Sequence, residues 1–239
     1  MLRPPGDREI RESAFEIKFV VSQDTGQRIR ERARALLAAD PWASGPAADE
    51  YTITSLYFDT ADLAVYNRRG SYRRAKYRIR RYGQSDVVFL ERKLRTNDLL
   101  TKRRTNVRLE DLPLLRNGDD EVDGTWPGHW FRKRIQTRGL RAACQISYER
   151  TARIGLTDYG PIRLTIDNRL QASIVDDASF VSADGAVPVT DSTIVEMKFR
   201  AGMPAVFKLL VEEFALKSQR VSKYRLATEC TRATGAMNA

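Results

Sequence analysis

Tyr72–Leu94 reads YRRAKYRIRRYGQSDVVFLERKL. In an extended strand, residues two apart share a face. Lys76, Arg78 and Arg80 therefore stand on one side of the first run, and Ala75, Tyr77 and Ile79 on the other. Gly83-Gln84-Ser85-Asp86 supplies turn residues before Val87–Leu94, which predicts a hairpin. The second run carries Glu91-Arg92-Lys93, one of three Glu-x-Lys triplets in strand-like segments. The others are Glu16-Ile17-Lys18 in FEIKFVV and Glu196-Met197-Lys198 in TIVEMKF. With 13 Glu and 9 Lys in 239 residues, random placement gives about 0.5 such triplets. Three of them point to one charged surface assembled from several strands. Carboxylates on such a surface can bind a hard cation, and its cations can bind phosphate.

The rest of the chain reads as further strands with a few helices. Strands are expected at Phe15–Val21, Tyr51–Phe58, Leu99–Leu109, Cys144–Ile154, Ile162–Leu170 and Thr193–Phe199. Ser22 can cap a helix to about Ala39, with Ile29, Ala33 and Leu36 on its apolar stripe, and Pro204 can open another to about Lys217. Trp130–Arg138 and the tail QRVSKYRLATEC are further helical candidates. In Ile162–Asp167, Arg163, Thr165 and Asp167 alternate with Ile162, Leu164 and Ile166. A half-exposed sheet with its charges in water would show this pattern. So would a closed antiparallel barrel with a polar lumen and an apolar outside covered by helices. Like charges in succession on one face repel unless something anionic lies between them, which favours the lumen. The expected fold is therefore α+β, with one domain over residues 14–230 between loose ends at 1–13 and 231–239.

Composition narrows the function classes. The net charge of +10, with 32 of the 41 basic residues being Arg, points to a polyanionic partner. No base-reading motif supports nucleic acid as that partner. His129 is the single histidine, in WPGHW, so Ser-His-Asp and Cys-His chemistry is not expected. Cys144 and Cys230 have no metal or redox spacing and should stay reduced in a cytoplasmic setting. No apolar run reaches the roughly 20 residues of a membrane helix, and no secretory leader is visible. Tyr57, Phe58 and Tyr77 read as packing residues, and Asp167 as an acceptor that could orient an arginine.

These pieces occur in an order that resembles the polyphosphate polymerase (VTC) domain of the triphosphate tunnel metalloenzyme superfamily, which also holds CYTH adenylate cyclases and thiamine or inorganic triphosphatases. The matching segments are Glu16-x-Lys18, Ser55-Leu56-Tyr57-Phe58-Asp59-Thr60, Lys76-Tyr77-Arg78-Ile79-Arg80 with Tyr82-Gly83, and Phe89-Leu90-Glu91-Arg92-Lys93. Tyr148-Glu149-Arg150, Arg163–Asp167, Glu196-Met197-Lys198 and Ser222-Lys223-Tyr224 follow. The resemblance spans residues 16 to 224 and implies a closed eight-stranded antiparallel tunnel with flanking helices. It implies phosphate contacts for Lys18, Lys76, Arg78, Arg80, Lys93, Arg150, Arg163, Lys198, Arg220 and Lys223. Of these, Arg78, Arg80, Lys93, Arg163 and Lys198 would serve the reaction itself. Glu196 would be the principal ligand of a divalent cation, Mn2+ or Mg2+, with Glu16 and Glu91 as further metal candidates. The family's triphosphatases carry Glu-x-Glu-x-Lys at the first position. Here Ala14 stands where the first carboxylate would be, a reduction shared with the polymerase branch.

The resemblance thus implies phosphoryl transfer from ATP or another nucleoside triphosphate to a polyphosphate end. The chain would act in the cytoplasm, with a membrane protein as a possible partner at the inner face of a membrane. An inorganic or nucleoside triphosphatase of the same fold, and a non-catalytic module that binds polyphosphate or another polyanion, are the alternatives.

Overall fold

The computed structural model describes residues 8–12, 15–43, 48–96, 99–116 and 124–237. Strands β1 (Arg8–Glu12) and β2 (Phe15–Val21) come first. Helix α1 (Gln23–Leu36) follows, started by Ser22, whose side chain accepts a hydrogen bond from the Thr25 N–H. The two-residue β3 (Ala38–Ala39) leads to β4 (Glu50–Asp59). The hairpin read from the sequence is β5 (Ala75–Tyr82) and β6 (Val87–Thr96), with β7 (Leu99–Arg108) beside it. Helix α2 (His129–Thr137) precedes two long strands, β8 (Arg141–Thr157) and β9 (Gly160–Ser173). The chain continues through β10 (Val187–Pro188), β11 (Thr193–Phe199), α3 (Ala205–Glu213) and α4 (Lys223–Met237). Two elements lie in segments read from the sequence as loose. β1 falls within residues 1–13 and pairs with β7 along its whole length, and α4 runs past residue 230.

The pairing is antiparallel throughout, in the order β1-β7-β6-β5-β4-β8-β9-β11-β2, with β3 and β10 as short additions to β8 and β9. The expected closed barrel of eight strands is met in part: the sheet is antiparallel and curled, but its backbone pairing does not close among the described residues. The hydrogen-bonded path has nine strands and two ends, and among the described residues no backbone pairing joins β1 to β2. The two ends of the path are consecutive segments of the chain, β1 (Arg8–Glu12) on the edge of β7 and β2 (Phe15–Val21) on the edge of β11. The sheet nonetheless curls far enough for its distant parts to meet through side chains: Lys93 on β6 lies 3.0 Å from Glu16 on β2.

The outside of this curl is apolar. Ile29, Ala33 and Leu37 near α1, with Phe207 and Leu210 of α3, cover Leu164, Ile166, Val195 and Met197. On another part of the sheet, Phe131 and Ile135 of α2, with Leu112 and Leu115, cover Leu56, Phe58, Tyr77 and Ile79. Phe58 meets Phe131 edge to face at 5.6 Å. With these faces committed to helices, the alternate residues of each strand, which carry the charges, are turned inward together. Among the described residues no helix is long and apolar enough to cross a membrane.

Candidate functional site

Strand register decides which charges share the interior. On β5, Arg78 stands beside Glu91 of β6 and Tyr57 of β4, and Arg80 beside Ser55. On β11, Glu196 and Lys198 stand beside Lys18 and Glu16 of β2, while Lys198 also neighbours Arg163 of β9. Arg150 of β8 neighbours Asp167 of β9. The three Glu-x-Lys triplets do therefore belong to one curved surface.

The interior charges fall into three groups. In the first, Lys18 bridges Glu16 (3.1 Å) and Glu196 (3.3 Å), Lys198 reaches Glu196 (2.8 Å), and Lys93 reaches Glu16. Burial works against ionisation of Glu16, as does the charge of Glu196. Lys93, Lys18 and Lys198 outweigh both and hold the Glu16 carboxyl at about 2. Glu196 is likewise held well below the usual range against a burial penalty, by Lys198, Lys18 and Arg150.

In the second group, Glu91 is enclosed by Arg78 (2.6 Å), Lys102 (2.9 Å) and Arg104 (3.3 Å). The third has Asp167, fully buried, accepting from both Arg150 Nε (2.6 Å) and Nη2 (2.7 Å) and from Lys223 (2.6 Å). Burial alone would raise the Asp167 carboxyl, but Arg150 and Lys223 bring it down to about 2. Arg150 is thus fixed by a fork-to-fork pair with its carboxylate.

Two interior cations differ from the rest. Arg80, 7% exposed, donates to the Ser55 and Tyr148 hydroxyls at 3.3 Å each. Lys76 donates to Ser222 Oγ at 2.9 Å. Neither has an ion pair with a carboxylate among the described residues. Desolvation first, then the charges of Lys18, Lys93 and Arg78, pushes the Lys76 ammonium down to about 8. Arg80 is buried and Lys76 half-buried, and a cation taken out of water without a counter-charge is costly.

The remaining residues named from sequence are placed as follows. Arg163 points to the same interior face but is 41% exposed, and it is held by Asp40 and by the Tyr51 hydroxyl. Arg220 is exposed just ahead of α4. Glu91, one of the further metal candidates, is taken up by Arg78, Lys102 and Arg104 and does not converge with Glu16 and Glu196. Among the described residues no group of three or more His, Cys, Asp or Glu converges. Glu16 and Glu196 do fit a divalent cation of the kind that takes one or two carboxylates and draws its other ligands from substrate oxygens. Both are hard oxygen donors, and each bears on the other as a like charge.

Sequence reasoning missed two features. Lys102 and Arg104 on β7 face the interior, whereas Arg103 between them turns outward and covers the Trp130 ring at 4.3 Å. Lys102 is lowered to about 8, by desolvation first and then by Arg78 and Arg104. The second feature is a set of tyrosine hydroxyls behind the arginines. Tyr57 accepts from Arg78 at 3.2 Å, Tyr148 from Arg80 and Tyr82 from Arg104 at 3.2 Å. Tyr57 is therefore a member of the interior and not solely a packing residue, while Phe58 and Tyr77 pack outward. Although burial opposes it, Arg78 and Arg80 bring the Tyr57 hydroxyl down to about 8, and Arg80 and Arg104 bring Tyr82 to about 7.

A family model described as the VTC domain matches residues 13–232. No curated protein matches the chain. Among solved structures, a "putative adenylate cyclase" from Bacillus halodurans is 13% identical with a TM-score of 0.53, over 89% of this chain and 95% of that one. The likeness supports the shared fold. Weaker resemblances, both 13% identical with a TM-score of 0.47, are seen for two others. A Hippeastrum protein described as an adenylyl cyclase candidate with a dominant triphosphatase activity covers 92% of this chain and 96% of its own. The PH1819 protein of Pyrococcus horikoshii covers 90% and 99%.

Proposed function

The chain belongs to the VTC domain family, and on that premise we propose that its interior is a tunnel for metal-dependent phosphoryl transfer, used for nucleotide-dependent polyphosphate synthesis. The observation that carries this reading is the pair of interior cations, Arg80 and Lys76, held by hydroxyls and lacking a carboxylate partner among the described residues. A chain of phosphates laid along them would supply the missing negative charge. Arg78, Arg150 and Lys93 flank that path but are already oriented by Glu91, Asp167 and Glu16. They can therefore hold a phosphoryl group without having to be reorganised when charge moves.

In the proposed reaction the terminal oxygen of a polyphosphate chain bonds to the terminal phosphorus of ATP or another nucleoside triphosphate, whose bond to the bridging oxygen breaks to release the nucleoside diphosphate. A phosphate oxygen is anionic at neutral pH, so no general base is needed. Positioning and charge stabilisation carry the catalysis. Arg78, Arg80, Lys93, Arg163 and Lys198 are assigned to the transferred and flanking phosphates, with Lys18, Arg150 and Lys223 further along. Glu196 and Glu16 would hold Mn2+ or Mg2+, which when bound neutralises phosphate charge. Lys18 and Lys198 occupy those carboxylates otherwise, so the two carboxylates are compensated without a metal.

The test is incubation of the purified chain with ATP and Mn2+ or Mg2+, with products resolved by electrophoresis. Long phosphate chains are expected, and their loss in Glu196→Gln. Release of inorganic phosphate alone would make the chain a triphosphatase. Tight polyphosphate binding with no turnover would make it a binding module.

A further inference from the structure

The lumen does not exhaust the basic residues. The segment between β4 and β5, residues 60–74, displays Arg68, Arg69, Arg73 and Arg74, all exposed. It is a built loop. The buried Asp59 carboxylate accepts from the N–H groups of Thr60 (2.7 Å), Val65 (2.7 Å) and Tyr66 (2.8 Å) and from the Tyr224 hydroxyl of α4. Arg68 and Leu63 hold left-handed φ angles of 56° each. A side chain kept in that region costs energy that the surrounding structure must offset, a pattern that concentrates at functional segments. Asp62 pairs with Arg69 at 3.2 Å, and Glu229 accepts from the Tyr66 hydroxyl at 3.2 Å.

The loop is continuous with the interior. Arg74 lies two positions before Lys76, whose ammonium meets Ser222 at the start of α4. Arg225, three residues on, donates to the Tyr66 carbonyl at 3.2 Å and lies over the Tyr66 ring at 4.9 Å. The basic row Arg80, Arg78, Lys76 of β5 is thus continuous along the chain with the exposed arginines of residues 60–74, and Arg225 of α4 packs on the same loop. We propose that the rim formed by Arg68, Arg69, Arg73, Arg74 and Arg225 is a second anion-binding surface that carries the part of an extended phosphate chain lying outside the lumen. The inference rests on the proposed function and adds to it that the ligand is a chain longer than the tunnel. A lipid surface is the less favoured occupant, because none of the exposed large apolar side chains lies on residues 60–74.

Arg68 and Arg73 are outside the lumen, so Arg68→Gln with Arg73→Gln tests the rim alone. The wild type and this double variant are titrated with tripolyphosphate and with a long linear polyphosphate at several salt concentrations. The expected result is an unchanged affinity for tripolyphosphate. Affinity for the long chain should fall roughly tenfold in the variant, with its salt dependence shallower by about one to two released counterions. Equal long-chain affinity in both proteins would overturn the rim and leave the tunnel intact. A wild type that binds neither ligand would overturn both readings. Binding to phosphatidylserine vesicles that the variant loses, with polyphosphate binding unchanged, would assign the surface to lipid and overturn the proposal.

Discussion

Replacing Asp167 by Asn should destabilise the protein by about 3 kcal/mol. Asp167 is wholly buried and neutralises Arg150 and Lys223. Its carboxyl is lowered from 3.8 to about 2, which corresponds to roughly 2.5 kcal/mol of preference for the ionised form. Removing one partner of a buried pair costs about 3–5 kcal/mol, because the remaining charge is left uncompensated. With a urea m-value of about 2–3 kcal/mol/M, the midpoint should drop by about 1 M or slightly more. Because the native pKa is depressed, the contribution is complete above pH 3.8 and is lost as pH falls through about 2. The gap between wild type and variant should therefore close in that acid window. Tripolyphosphate should recover part of the loss at neutral pH, since an anion can replace the missing charge beside Arg150 and Lys223. A midpoint shift under 0.3 M, or a gap that does not depend on pH below 4, would refute the reasoning.

Anion affinity should fall as pH rises from 7 to 9. Lys76 and Lys102 lose protons near 8, and Tyr57 and Tyr82 ionise near 8 and 7. Each of these changes removes positive or adds negative charge, and each proton required costs about tenfold in affinity per pH unit above its pKa. Isothermal titration in buffers of different ionisation enthalpy should show proton uptake on binding near pH 8.5; proton release would contradict it. Glu196→Gln should abolish metal-dependent turnover and also lower the melting temperature, though less than Asp167→Asn, because Lys18 and Lys198 keep Glu16 as a partner; full activity at limiting metal would exclude Glu196 as a ligand. Gly26→Ala should cost about 1–3 kcal/mol, read by calorimetry, since the added methyl group would sit 2.7 Å from Thr193 on β11; an unchanged melting temperature would refute that packing.

What the sequence disclosed was mostly parity. Glu16-x-Lys18 and Glu196-x-Lys198 announced a shared charged face, and the structure pairs them residue against residue. FEIKFVV and TIVEMKF fall on β2 and β11 with the bounds read from their alternation. Parity fails where both faces are charged. In Lys102-Arg103-Arg104 the neighbour strand, and Trp130 against Arg103, decide which way each side chain turns. Arg163 shows a different limit. Its partner Asp40 is 123 positions away, so nothing local says that this arginine is already held. The strand on the edge of β7 was not legible either: REIRE at Arg8–Glu12 occupies it. A five-residue run beside polar neighbours reads as an end and not as a strand.

The most direct measurement is a crystal structure of the chain soaked with tripolyphosphate. The account predicts phosphate density inside the curl, within hydrogen-bonding reach of Arg80 and Lys76. Phosphate found only on the outer surface, with Arg80 and Lys76 still bonded to Ser55, Tyr148 and Ser222 alone, would contradict it.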